Sequence, residues 1–244
     1  MKINNLALVI PAHNEENNLQ RIVPAILKEL NKYIFEIVIV NDASSDKTRE
    51  VAEKLKKKYR KLKLVNRTPP CGVGRALKDG FKAVSKNAEW VLTMDCDFLE
   101  NVKEVKRLIK KADEGYDGVI GSRYIERGRL VNYPPIKRFS NRIYHILVRG
   151  VLGIKQVDLT NNFKLYKKEI IDSIEWKSND FAINAETGIF PILAGYRIAE
   201  VPVSWVQRYF DKSDFKVIKL APSYLKVAFR AIRMKFGGYS SAKY

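Results

Sequence analysis

The feature that most constrains this chain is the alternation running through its first half, where short β-branched apolar runs trade places with segments of helical period. Residues 6–10 read as a strand and 18–32 as an amphipathic helix. Residues 36–40 read as a second strand, and 46–60 as a helix that Ser44 and Ser45 are placed to cap. Residues 62–66, 74–85, 90–95, 101–112 and 117–121 continue the series. Strands separated by helices predict an α/β fold with a mostly parallel sheet covered on both faces. In such sheets ligands bind beyond the C-terminal ends of the strands, where the strand order reverses. Function is therefore to be sought in the loops that leave those strand ends.

Four polar exits result: Pro11-Ala-His-Asn-Glu-Glu16, Asn41-Asp-Ala-Ser-Ser-Asp46, Arg67 with Cys71-Gly-Val-Gly74, and Asp95-Cys-Asp97. The last carries the most chemistry. Two carboxylates one residue apart at a strand end can share Mg²⁺ or Mn²⁺, hard cations that neutralise phosphate. Asp42 can accept hydrogen bonds from a base or ribose, or serve a turn. Gly72 and Gly74 permit close backbone approach. His13 reads as a loop residue, since no second histidine lies near it in sequence and His145 falls in a separate basic helix.

The charge balance points to an anionic partner: 45 Lys and Arg against 27 Asp and Glu, a formal charge of +18. Its distribution is lopsided. Residues 215–244 hold seven basic side chains and no acid, and residues 123–149 hold seven against Glu126 alone. From Pro222 onward, Leu225, Phe229, Ile232 and Phe236 share a helical face beside Lys226, Arg230 and Arg233. Ile143, Ile146, Leu147 and Val151 repeat the pattern upstream. Both segments read as interfacial helices for an anionic membrane surface, or as faces packed on the domain's own core or on a partner subunit. Nucleic acid is not the expected partner, because Glu15, Asp42, Asp95 and Asp97 would repel phosphates unless a cation intervened. The chain lacks a leader-like start and any run of about 18 apolar residues. Its two cysteines suit a reducing compartment, so a cytoplasmic, membrane-peripheral location is expected. Residues 1–214 read as one catalytic domain and 215–244 as a basic amphipathic segment.

In order and spacing, Val9-Ile-Pro-Ala-His-Asn-Glu-Glu, Val38-Ile-Val-Asn-Asp-Ala-Ser-Ser-Asp-Lys-Thr, Gly72-Val-Gly-Arg-Ala-Leu-Lys-Asp-Gly and Met94-Asp-Cys-Asp resemble family 2 glycosyltransferases with the GT-A fold. The second half narrows the likeness. Gly121-Ser-Arg-Tyr124, Asp158-Leu-Thr-Asn-Asn-Phe-Lys-Leu-Tyr-Lys167, Glu186 and Val201-Pro-Val-Ser-Trp-Val-Gln-Arg208 are similar to polyprenyl-phosphate sugar transferases of the dolichyl-phosphate mannose synthase type.

That resemblance implies an inverting transferase that moves a sugar from a GDP-mannose or UDP-glucose type donor to a polyprenyl phosphate. It implies donor binding by Pro11, Asn14, Glu15, Asp42, Asp95, Cys96, Arg208 and Ser213. It implies Mg²⁺ or Mn²⁺ on Asp95 and Asp97, acceptor-phosphate binding by Arg123 and Arg138, and either a membrane-peripheral enzyme or one that relies on a membrane partner where relatives often carry membrane spans. A hydroxyl acceptor would instead need a carboxylate base, for which Glu186 is the candidate. The sequence departs from the family at Leu99, where Gln is common, at Asp214, where Lys is common, and at Thr160-Asn161-Asn162-Phe163, where Thr-Ser-Gly-Phe is common. These departures argue for a divergent substrate.

Overall fold

The computed structural model describes residues 3–131, 134–206 and 217–237. Its centre is a seven-stranded sheet of β1 (Leu6–Ala12), β2 (Ile34–Asp42), β3 (Leu62–Arg67), β4 (Trp90–Thr93), β5 (Gly118–Ser122), β7 (Lys164–Lys167) and β8 (Ile198–Pro202). The strand order is β3-β2-β1-β4-β7-β5-β8, parallel throughout except for β7, which runs antiparallel to β4 and β5. β6 (Arg129–Val131) and β9 (Ser204–Val206) form a separate parallel pair. The order reverses between β1 and β4, so the β1 and β4 exits flank the crevice where an open α/β sheet binds its ligand.

Alternation along β1 sorts the core into two faces. Leu6, Leu8 and Ile10 meet Leu19, Ile22, Val23, Ile26 and Leu30 of α1 (Glu16–Leu30), with α2 (Thr48–Lys58) and α4 (Val105–Ala112) on the same side. Ala7 and Val9 face α3 (Val73–Ala83), α5 (Pro135–Leu152), α6 (Lys168–Ser173), α7 (Ile183–Leu193) and α8 (Val217–Phe236). These strand residues are fully buried, each contributing roughly 1.5–3 kcal/mol of apolar transfer where the side chain is Leu, Ile or Val.

Two local expectations are corrected. The helix expected over 101–112 begins as a 3-10 turn, Leu99–Glu104, because the buried Asn101 amide turns back to Glu104 and to the Ser204 carbonyl. Ser44 and Ser45 do not cap α2. The N-cap position is Lys47, which makes no side-chain cap bond; Asp46, one residue before it, accepts the Thr48 N–H at 2.9 Å, while both serines bond to Asn14.

The C-terminal helix is part of the body of the fold. Tyr224, Val227 and Ala231 of α8 are buried, and Tyr224 stacks edge-on with Tyr144 of α5 at 5.2 Å. The opposite face stays open: Leu225, Phe229 and Phe236 are more than 60% exposed, as are Ile136, Phe139, Ile146 and Leu147 of α5. Ile232, grouped with the outer stripe by periodicity, packs against the core instead. Among the described residues no helix is long and apolar enough to cross a membrane.

Candidate functional site

The β1 and β2 exits are interlocked. Asn14 sits at φ +57°, a left-handed conformation that asparagine tolerates better than most residues. Its Oδ1 accepts from the Ser45 N–H at 2.8 Å, and its own N–H donates to Ser44 Oγ at 3.1 Å. Glu15 donates its N–H to the buried Thr48 hydroxyl at 2.7 Å, and its carboxylate receives the Asn18 amide. Pro11 lies half-buried near the C-terminal end of β1. His13 is held by its ring nitrogen to the Asp42 carbonyl at 2.7 Å.

Asp42 ends β2 almost wholly buried, between the Arg67 guanidinium on Oδ1 and the Gly72 N–H on Oδ2 at 2.6 Å. Arg67 reaches Asp79 with its Nε at 2.7 Å, fixing β3 to α3. The glycines of this loop serve a close approach by the protein itself. A Cβ at Gly74 would lie 2.5 Å from the Ser178 carbonyl, and the Arg75 N–H donates to the Asn179 carbonyl. Residues 178–180 therefore cover the start of α3, and the approach that Gly-x-Gly permits is by this segment.

β4 delivers Asp95 and Asp97 to the crevice. Among the described residues the Asp95 carboxylate receives one hydrogen bond, from Asn162 Nδ2 at 2.6 Å. Burial first, then the charges of Asp97 and Glu15, push its carboxyl up to about 7, against the lowering effect of the Asn162 bond. A carboxylate of raised proton affinity beside a second carboxylate is a donor set that a divalent cation would satisfy, so Asp95 and Asp97 fit Mg²⁺ or Mn²⁺. Among the described residues no third acidic, His or Cys side chain completes a cluster with them. Cys96, between the two aspartates, points into the hydrophobic core and offers a donor only its backbone.

Arg123, at the end of β5, is 7% exposed and gripped by the wholly buried Asp158 through Nε at 2.7 Å and Nη2 at 2.8 Å. Nη2 also reaches Thr160 Oγ1 at 3.2 Å. Arg123, expected to bind the acceptor phosphate, is held in a fixed internal pair. Asp158 is held down to about 2, the Arg123 charge overcoming its burial. Beside it His145 accepts the Leu159 N–H at 3.1 Å and is pushed by burial down to about 4, which keeps the ring neutral. Lys164, fully buried, donates to the Asn184 carbonyl at 2.6 Å and to Thr187 Oγ1 at 2.9 Å, and burial lowers it to about 7.

Arg138 stands exposed on the first turns of α5, and Arg142 lies 5.4 Å over the Tyr124 ring, with Arg123 also 5.5 Å from that ring. Glu186 is wholly buried on α7. It receives the Lys177 N–H at 2.8 Å, the Ser178 N–H at 2.7 Å and Arg230 Nη1 at 2.6 Å. Arg208 and Ser213 lie outside the described residues. The structure thus gathers Pro11, Asn14, Glu15, Asp42, Asp95 and Asp97 at the strand exits, sets Arg123 and Arg138 toward α5, and places Glu186 apart as a bonded anchor. Sequence reasoning gave Asn162, Lys164 and Arg67 no individual role. The one available signal was polar residues inside an apolar stretch, as in Thr160-Asn161-Asn162-Phe163-Lys164.

The family model "Glycosyl transferase family 2" matches residues 7–175. A dolichyl-phosphate beta-glucosyltransferase of Trichomonas vaginalis is 32% identical over 91% of this chain and 72% of its own length. A dolichol-phosphate mannosyltransferase of Pyrococcus furiosus is 29% identical over 93% of the chain, which spans 64% of that relative's length. Among solved structures, glucosyl-3-phosphoglycerate synthase of Mycobacterium tuberculosis in complex with UDP superposes with a TM-score of 0.71 at 18% identity, covering 94% of this chain and 80% of that one. A second structure of that enzyme, with Mn²⁺, UDP and phosphoglyceric acid, gives 0.70 at 17%, covering 98% and 80%. At these identities the structural likeness establishes the GT-A type of fold.

Proposed function

The chain belongs to glycosyl transferase family 2, and from that premise we propose that it moves a hexosyl group from a nucleoside-diphosphate sugar, of GDP-mannose or UDP-glucose type, to a polyprenyl phosphate at a membrane surface. The observation that carries this reading is the junction of two surfaces. The acidic crevice of Asp95 and Asp97 adjoins Arg123, and through Tyr124 continues to α5, which with α8 forms an apolar face containing no acidic residue. A basic rim around exposed apolar side chains suits an anionic lipid surface and a lipid-borne acceptor. The relatives named for dolichyl-phosphate sugar transfer support the same acceptor class.

In this reading Asp95 and Asp97 hold a divalent cation, which when bound neutralises the diphosphate leaving group. Asp42 and Glu15 bound the nucleoside side of the crevice. An acceptor phosphate oxygen forms the new bond to the anomeric carbon as the bond to the diphosphate breaks, its electron pair departing with the nucleotide, which inverts the anomeric centre. A phosphomonoester has its second pKa near about 6, so the nucleophile is already ionised and needs no base. In this reading Arg138 and Arg142 orient that phosphate, and Arg123 adds fixed positive charge. The alternative, a hydroxyl acceptor with Glu186 as base, is not favoured, because that carboxylate is buried with three donors already on it. The exposed free thiol of Cys71 suits a reducing, cytoplasmic membrane face, and a membrane-protein partner on α8 belongs to the same reading.

The test is transfer from labelled GDP-mannose or UDP-glucose to a polyprenyl phosphate in anionic vesicles, with Mn²⁺, Mg²⁺ or EDTA. Metal-dependent formation of an inverted glycosyl phospholipid is expected. Transfer that ignores the lipid and proceeds equally to a soluble sugar would overturn the reading.

A further inference from the structure

Residues 158–162 form a short span that touches both halves of the site. Asp158 and Thr160 hold Arg123, Asn161 Nδ2 donates to the Gly121 carbonyl at 2.7 Å, and Asn162 Nδ2 donates to Asp95 Oδ1 at 2.6 Å. Asn162 is 2% exposed, so its side chain has no room to swing away. Its bond is the one hydrogen bond to the Asp95 carboxylate among the described residues, and its own Oδ1 is buried with no partner. A buried amide oxygen left unbonded costs roughly 1–3 kcal/mol. That cost is tolerated here by the residue that aims Asp95.

We propose that Asn162 is the positioning residue of the donor's metal site: its amide N–H fixes the rotation of the Asp95 carboxylate so that the other oxygen faces the cation and the donor diphosphate. The inference rests on the divalent-cation reading above and assigns this chain's own contribution to it. A carboxylate ligand with one oxygen tied by an outer hydrogen bond is held in a single orientation, and removing such outer partners typically weakens metal binding about 10- to 100-fold.

The experiment is an electron paramagnetic resonance titration of Mn²⁺ into the full chain with saturating UDP or GDP, for wild type, Asn162→Ala and Asn161→Ala. Metal-free melting curves of all three establish folding. Asn162→Ala is expected to weaken Mn²⁺ about tenfold or more and to raise KM for the nucleotide sugar while leaving KM for polyprenyl phosphate unchanged. Asn161→Ala, which removes the neighbouring anchor without touching Asp95, is expected to keep wild-type Mn²⁺ affinity. Equal Mn²⁺ affinity in wild type and Asn162→Ala overturns the inference alone, and so does equal loss in both variants, which would mark a general loosening of the span. A wild-type protein that takes up no Mn²⁺ with either nucleotide overturns the metal reading and this inference together.

Discussion

Arg123 and Asp158, 35 residues apart in sequence, close a two-pronged ion pair in which both partners are more than nine-tenths buried. The Arg123 backbone N–H joins in at 2.9 Å, so Asp158 receives three bonds from one residue. A guanidinium so held cannot swing to follow a substrate. It supplies a fixed charge at the end of β5, close enough to Asp95 to lower the proton affinity of that carboxylate.

Arg123→Ala leaves the Asp158 carboxylate buried without its main countercharge, which typically costs roughly 3–5 kcal/mol. A drop of that size in denaturant-unfolding free energy is expected. The double variant Arg123→Met with Asp158→Leu should recover a large part, since an apolar pair can replace a buried ionic one at little cost. If Arg123→Ala unfolds like wild type, the pair is not structural.

Asp97→Ala removes one of the two carboxylates proposed to hold the cation. The melting-temperature rise that UDP or GDP gives with Mn²⁺ should vanish, while the metal-free protein melts as before. Turnover is expected to fall by about 100-fold or more, the scale on which leaving-group charge stabilisation acts. Normal turnover of this variant with Mn²⁺ or Mg²⁺ would remove the metal assignment.

The parallel sheet was legible because strands such as β1 and β2 are continuous apolar runs with polar exits, and that signal is local. The carboxylates at the exits were legible for the same reason. What the sequence did not show is which of those groups the fold itself occupies. Asn14 is occupied by Ser44 and Ser45, Asp42 by Arg67 and Gly72, and Glu186 by Arg230, 44 residues away. Such partners are chosen by tertiary contact. Periodicity likewise marked an apolar face on α8 but could not tell that its Tyr224 side is buried while its Phe229 side is open.

Glu186→Gln separates anchor from base. The amide keeps the shape but meets the Lys177 and Ser178 N–H groups with one fewer acceptor, so a melting temperature lowered by several degrees is expected. As an anchor, Glu186 contributes no ionisation to turnover, and the pH–rate profile for transfer to polyprenyl phosphate should keep its shape. Loss of the acidic limb of that profile would restore the base role.

Lys164 gives a pH dependence of stability with a definite sign. Its folded pKa, about 7, lies below the ordinary 10.5, so between those values the unfolded chain holds a proton that the folded chain has released. Stability contributed by this residue therefore rises with pH across that window. The difference in melting temperature between wild type and Lys164→Met should shift in favour of wild type from pH 7 to pH 10. A difference that stays flat would mean the ammonium remains charged inside the fold.

The apolar platform is testable without touching the chemistry. Phe139, Leu147 and Phe229 are each more than 60% exposed on α5 and α8, so changing them to Asp removes no core packing, and melting should move little. On an anionic bilayer the same changes replace inserted apolar surface with negative charge beside Arg138, Arg142 and Lys226. Burying a side chain of this size contributes roughly 1.5–3 kcal/mol, so the triple variant should bind sedimenting phosphatidylserine vesicles at least about 100-fold more weakly. Wild-type binding should also weaken from 50 to 500 mM salt, because the basic rim acts through a screened field. With a water-soluble short-chain polyprenyl phosphate, the variant should turn over as wild type does. Unchanged vesicle binding would move the lipid contact off these helices, whereas loss of turnover on the soluble acceptor would place the platform inside the active site.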